Sequence, residues 1–132
     1  MANYDTFNPS SSHPQRALQA WQILIAAAAS RQTVTYLLLS QKMYRRNAQG
    51  VLDKVLGHVA CFCNERGLPT LTALVVGKKR GTPGHDIPVD PSKTMDEIRE
   101  LIYRTDWFDI VPPSASQLKA AFDSRPEVAR ER

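Results

Sequence analysis

Residues 49–65 read QGVLDKVLGHVACFCNE; Arg66-Gly67-Leu68-Pro69 follows, and then the run Leu71-Thr72-Ala73-Leu74-Val75-Val76. Within the first stretch Val51, Leu52, Val55, Leu56, Val59, Phe62 and Cys63 recur at three- and four-residue spacing, which predicts one buried helical face from about Gln49 to Glu65. Gly67 supplies a C-terminal stop and Pro69 prevents the helix from resuming. Gly57 lies inside this helix at a cost of about 1 kcal/mol relative to alanine. Close approach of another element is a reason to accept that cost. The run 71–76 is rich in β-branched and apolar residues and is the clearest predicted strand in the chain.

Working upstream, Arg45-Arg46-Asn47-Ala48-Gln49-Gly50 reads as a polar, basic turn, and Leu37 to Met43 as a short helix. Thr33-Val34-Thr35-Tyr36 is a short β-prone piece. Before it, Ala17, Leu18, Trp21, Leu24, Ile25 and Ala28 predict a helix from about Pro14 to Ala29, with Pro14 suited to its first turn. Its alanines permit a close neighbour. Residues 1–12 are polar and read as a flexible arm.

Working downstream, Gly77-Lys78-Lys79-Arg80-Gly81-Thr82-Pro83-Gly84 is a basic loop punctuated by glycine and proline. Ile87-Pro88-Val89 is a candidate return strand, confined by Pro88 to a sheet edge. A third long helix is expected near Thr94, with Asp96 and Glu97 at its N-terminal dipole and Ile98, Leu101, Ile102 and Phe108 on its apolar face. Ser114 or Ser116 caps a final short helix through Leu118 and Phe122. The order predicts a small helix-rich α+β fold: arm 1–12, one domain over 13–124, and a frayed tail over 125–132.

A chain of 132 residues buries enough surface to fold without a metal or a disulfide. Cys61 and Cys63 are two apart on a helix, so their side chains point about 200° from each other. They make neither a mutual bridge nor half of a CxxC metal site, and read as small buried hydrophobes. The apolar stretch from Trp21 to Ala29 is far short of the ~20 residues of a membrane span. No basic region followed by an apolar core opens the chain, so the cytoplasm is the expected compartment.

The net charge of +4 is unevenly distributed. Residues 31–81 hold nine bases (Arg31, Lys42, Arg45, Arg46, Lys54, Arg66, Lys78, Lys79, Arg80) against Asp53 and Glu65, whereas residues 82–132 hold seven bases and ten acids. A concentrated positive field of this kind attracts polyanions.

No motif names a reaction. His13 lies in the arm and His58 beside the apolar stripe of residues 49–65. His85 precedes Asp86 in a loop, and sequence adjacency alone is not the geometry of acid–base catalysis. His58 and Cys61 are three apart, but two ligands are too few for a structural zinc site. The acids Asp96, Glu97, Glu100, Asp106 and Asp109 read as a solvated face, and Trp107-Phe108 between the last two reads as an aromatic anchor in the core. The basic loop does not match GxxxxGK[ST]. No enzyme activity, cofactor, metal or membrane contact is expected.

The segment from Thr33 to Gly84 resembles the winged-helix DNA-binding part of the O6-alkylguanine-DNA alkyltransferase and alkyltransferase-like families. The resemblance rests on Thr35-Tyr36 followed by Leu39-Ser40, on Lys54-Val55-Leu56-Gly57 against an Arg-x-Val-Gly element, and on a strand followed by a glycine-containing loop. It implies a winged-helix-like segment over 33–89 with a short β-hairpin wing, and double-stranded DNA as partner. The family's Pro-Cys-His-Arg signature is absent, and Thr72-Ala73-Leu74-Val75 stands near its place. Alkyl transfer is therefore excluded under this alignment, because no thiolate is there to accept the group. Lys54 replaces the arginine associated with base extrusion and is not its equivalent.

The leading expectation is a non-catalytic DNA-binding protein. Arg45, Arg46, Asn47 and Gln49 stand at the entrance of the recognition helix and Lys54 on its open side. Lys78, Lys79 and Arg80 lie on the wing, and Tyr36 either touches backbone or packs inward. The alternatives are a protein-interaction module using Tyr103, Trp107 and Phe108, and a small enzyme acting through Gly84-His85-Asp86. A buried Trp107 with basic residues gathered on one face favours DNA; an exposed Trp107 favours a protein partner.

Overall fold

The computed structural model describes residues 4–77 and 92–125, and Gln49 by its backbone alone. The first helix, α1, spans His13–Ala29 and starts at a reciprocal cap: Ser12 Oγ accepts from the Gln15 amide, while the Ser12 amide donates to Gln15 Oε1. This satisfies two amides that the first turn leaves open, and Pro14 fits there because its missing N–H is not needed. One stripe of α1 is buried: Ala17, Ala20, Trp21, Leu24, Ile25 and Ala28. The helix ends with Arg31 at φ 54, the Arg31 and Gln32 amides donating to Ala28 and Ala27.

Strand β1 (Val34–Thr35) leads into α2 (Tyr36–Tyr44), whose cap is Thr35 Oγ1 accepting from the Leu38 amide. Arg45, left-handed at φ 60, closes α2, and the chain turns into α3 (Gln49–Glu65). The end of α3 follows from Gly67 at φ +69: the Leu68 amide returns to the Cys63 carbonyl and the Gly67 amide to Asn64. That double closure needs a left-handed residue, which glycine adopts without a Cβ penalty.

The run after α3 departs from the expected strand. Leu71–Leu74 is a 3-10 turn, and only Val75–Val76 forms strand β2, parallel to β1 with Val34 opposite Val75 and Thr35 opposite Val76. The partner strand is two residues long, so the backbone of 71–74 finds no ladder and bonds locally, as in Ala73 N–H to Thr70 O. Burial on every side makes the run apolar without alternation, and such a run does not distinguish strand from helix. Parallel pairing follows from the two helices that carry the chain across between the strands.

Helix α4 (Met95–Arg104) begins with a second reciprocal cap, Thr94 with Glu97, and α5 (Ala115–Asp123) with a third, Ser114 with Gln117. Between them Trp107–Asp109 is a 3-10 turn. Trp107 is 2% exposed and donates Nε1–H to the Ile102 carbonyl, whereas Phe108 is 67% exposed. The expected apolar face of α4 is thus corrected: Ile98 and Ile102 are buried, while Leu101 and Phe108 face solvent. The helix stops at Arg104, and the turn that follows sends Trp107 inward in place of Phe108.

Helices α1, α3 and α5 pack on one another around a single core cluster, with the 71–74 turn against α1 and α3. Among the described residues no helix is long and apolar enough to cross a membrane. The candidate strand Ile87-Pro88-Val89, the basic loop from Lys78 onward and the tail from Pro126 lie outside the described residues.

The cost of Gly57 is explained by α5. A Cβ there would stand 3.1 Å from Phe122 Cε1. Phe122 has little room to yield, since its ring stacks on His58 at 4.0 Å and carries the Arg125 guanidinium at 3.7 Å. Gly57→Ala is therefore expected to be neutral or destabilising in the wild-type chain, the crowding offsetting the helix gain. In a Phe122→Ala background the same change should stabilise by up to about 1 kcal/mol. A urea double-mutant cycle measures the change of sign.

Candidate nucleic-acid interface

Lys42 in the last turn of α2, Arg45, Arg46 and Asn47 in the turn between α2 and α3, and Lys54 near the start of α3 are all exposed. The left-handed Arg45, whose amide donates to Gln41 O at 2.9 Å, redirects the chain into this turn. Helix α3 opens at Ala48 with no side-chain cap, unlike α1, α4 and α5. Open amides at a helix start carry partial positive charge and accept anions.

The pairing of the basic residues separates this region from the rest. Arg31 and Arg104 both bond Glu100, Arg66 pairs with Glu65, and Lys119 bonds Asp123. Lys42, Arg45, Arg46 and Lys54 have no carboxylate partner among the described residues. Exposed pairs of the first kind stabilise little, but they neutralise the local field. The cations of 42–54 keep theirs, against the single acid Asp53.

Gly50, Val51, Asp53 and Lys54 are open to solvent in the first turns of α3, α5 covers the helix at Gly57 through Phe122, and Asn64 and Glu65 are open again at its end. Tyr36 is 8% exposed and packs inward in the core cluster, away from this surface. Lys78, Lys79 and Arg80, the Gln49 side chain, and the pair His85-Asp86 lie outside the described residues.

The remaining candidates do not converge. Among the described residues no three His, Cys, Asp or Glu side chains gather as a metal site. Both cysteines are free, Cys61 half-buried and Cys63 buried. Burial pushes the Cys63 thiol up to about 12, too high for a thiolate nucleophile at neutral pH. Of the acidic run, Glu97 belongs to a helix cap and Glu100 to ion pairs.

His58 is buried in this helix bundle, more deeply than a boundary residue. Its Nδ1 lies 2.8 Å from the Lys54 carbonyl; a carbonyl only accepts, so Nδ1 carries the proton. Its ring stacks on Phe122, and His13 meets it edge-on at 6.5 Å. Burial is the main reason that its pKa is lowered; His13 and Arg125 push the same way, while the Lys54 carbonyl and Asp123 oppose them.

Comparison of the chain with family models, with curated proteins and with solved structures finds no match.

The depressed imidazole has a consequence for stability. In the unfolded chain it takes its proton near 6.5, and in the folded chain only below that. Stability is full above that value and declines as pH falls through the window, because there the unfolded chain binds the extra proton. Urea midpoints at pH 8 and pH 5.5 should show this decline, and His58→Phe, which keeps the stacked ring without the titration, should show less of it.

Proposed function

We propose that this chain is a non-catalytic DNA-binding protein of winged-helix type. Its recognition surface is the α2–α3 turn and the start of α3. One observation carries the reading: cations without a carboxylate partner gather at residues 42–54, whereas Arg31, Arg66, Arg104 and Lys119 elsewhere are paired. The burial of Trp107 agrees with it, since the largest aromatic of the C-terminal region is thereby removed from any partner surface. In this reading Arg45 and Arg46 contact phosphates and Asn47 and Lys54 face the groove, while Gln49, Lys78, Lys79 and Arg80 are further candidate DNA contacts by their place in the sequence. Tyr36 plays its part from the core, by holding α2.

The open first turns of α3 fit recognition by the N-terminal residues of a helix, the usual geometry of helix-turn-helix readers. Phosphate contacts dominate such binding and make it salt-dependent. Labelled duplex DNA should therefore bind saturably in fluorescence anisotropy and weaken steeply between low and physiological salt. Arg45→Ala with Arg46→Ala and Lys54→Ala should weaken binding to every sequence and lower the salt slope by about one for each phosphate that is no longer neutralised. Absence of duplex binding at low salt would overturn the reading.

A second reading, docking of a protein partner, is favoured by Phe108 and Val111, 67% and 84% exposed, while Trp107 and Pro113 beside them are buried. Apolar side chains displayed on an anchored segment are typical of interface centres. Phe108→Ser with Val111→Ser should leave duplex affinity unchanged if DNA binding is the activity.

A further inference from the structure

Among the described residues Arg16 is the one cation buried from solvent, at 4% exposed. Its guanidinium donates from Nη1 to Gln19 Oε1 at 2.7 Å and to the Met43 carbonyl at 2.8 Å, and from Nη2 to the Asn8 carbonyl at 2.7 Å. All three acceptors are neutral, and no carboxylate pairs with it among the described residues. A buried charge is ordinarily neutralised by a counter-ion; this one keeps its full positive charge behind the last turn of α2.

The charge sits directly under the basic turn. Arg16 lies over the Tyr44 ring, 4.3 Å from its centroid, and the Arg46 guanidinium lies over the same ring at 5.8 Å. The ring attracts both cations, and so holds two like charges close together, with the exposed Arg45 preceding Arg46 in the chain. No carboxylate among the described residues forms an ion pair with Arg16, Arg45 or Arg46. Such an arrangement favours an external anion, because the repulsion already built into the fold is relieved when one docks. Planar guanidiniums match the oxygens of a phosphate in particular.

We infer that the α2–α3 turn seats a phosphate oxyanion held by Arg45 and Arg46, with Arg16 as the positioning residue that fixes Tyr44 and the turn and supplies the buried charge behind them. The inference deepens the DNA-binding reading, on which it rests for the source of the phosphate but not for the chemistry of the seat.

Two measurements test it. Thermal unfolding in sodium phosphate, compared with sodium chloride at equal ionic strength, should show a phosphate-dependent rise in Tm for the wild type, since a ligand of the folded state stabilises it. The rise should vanish in Arg45→Gln with Arg46→Gln and shrink in Arg16→Gln. Arg16→Lys and Tyr44→Leu provide the same comparison if Arg16→Gln does not fold. In duplex titrations Arg16→Gln should lower affinity about tenfold with an unchanged salt slope, because Arg16 touches no phosphate itself, whereas the Arg45 and Arg46 changes should lower the slope. An equal phosphate effect in all variants, or none in the wild type, would overturn the seat even if duplex binding holds. Phosphate stabilisation that disappears as expected, without duplex binding, would retain the seat for free phosphate and remove the DNA reading.

Discussion

The constraint that joins the distant parts of the chain is the packing around Trp21 of α1. Its ring is 1% exposed, meeting Phe62 of α3 edge-on at 5.7 Å and Trp107 at 5.6 Å. Aromatic pairs in this geometry contribute about 0.5–1.5 kcal/mol each beyond the area they bury. Two elements distant in the chain are thereby set against α1. Ala17, Ala20 and Ala28 on the same stripe let α3 and α5 approach closely. Trp107 in turn fixes the end of α4 through its bond to the Ile102 carbonyl, and Arg99 Nε ties the middle of α4 to the Ala73 carbonyl.

From this packing follows the shape of the candidate interface. Helix α5 lies on both α1 and α3, so it covers α3 at Gly57 and leaves the start of that helix open. The same arrangement buries His58 and stacks its ring on Phe122. Meanwhile α4 brings Glu100 to Arg31 across the fold. Pairing there and isolation at 42–54 turn an uneven charge distribution along the chain into one concentrated region on the surface.

Much of this was legible in the residues. The apolar stripe of residues 49–65, with Gly67 after it, announces α3 because helix periodicity and a left-handed stop are local properties. Thr94 and Ser114 mark the starts of α4 and α5 for the same reason. Leu71–Leu74 was not legible as a turn, since the choice between ladder and local bonding depended on how much partner strand stood opposite. Arg16 was not legible as a buried cation, although its position, four residues before Ala20, lies on the buried stripe of α1. A charge there reads as an intrusion until its acceptors, Met43 and Asn8, are in place. Tyr36 read as the end of a β-prone piece with two open roles, backbone contact or inward packing; it starts α2 and packs inward.

The sequence by itself determined the long helices, the stop of α3 at Gly67, the basic character of the middle of the chain and the glycine that α5 crosses. These depend on spacing, on side-chain chemistry and on backbone freedom within a few residues. Only the tertiary structure decided which cations are neutralised, which part of α3 is open, and that a guanidinium is buried behind the α2–α3 turn. Each of these is a relation between side chains far apart in the chain, such as Arg31 with Glu100 or Gly57 with Phe122. Local spacing carries no information about such distances, which the packing of the core sets.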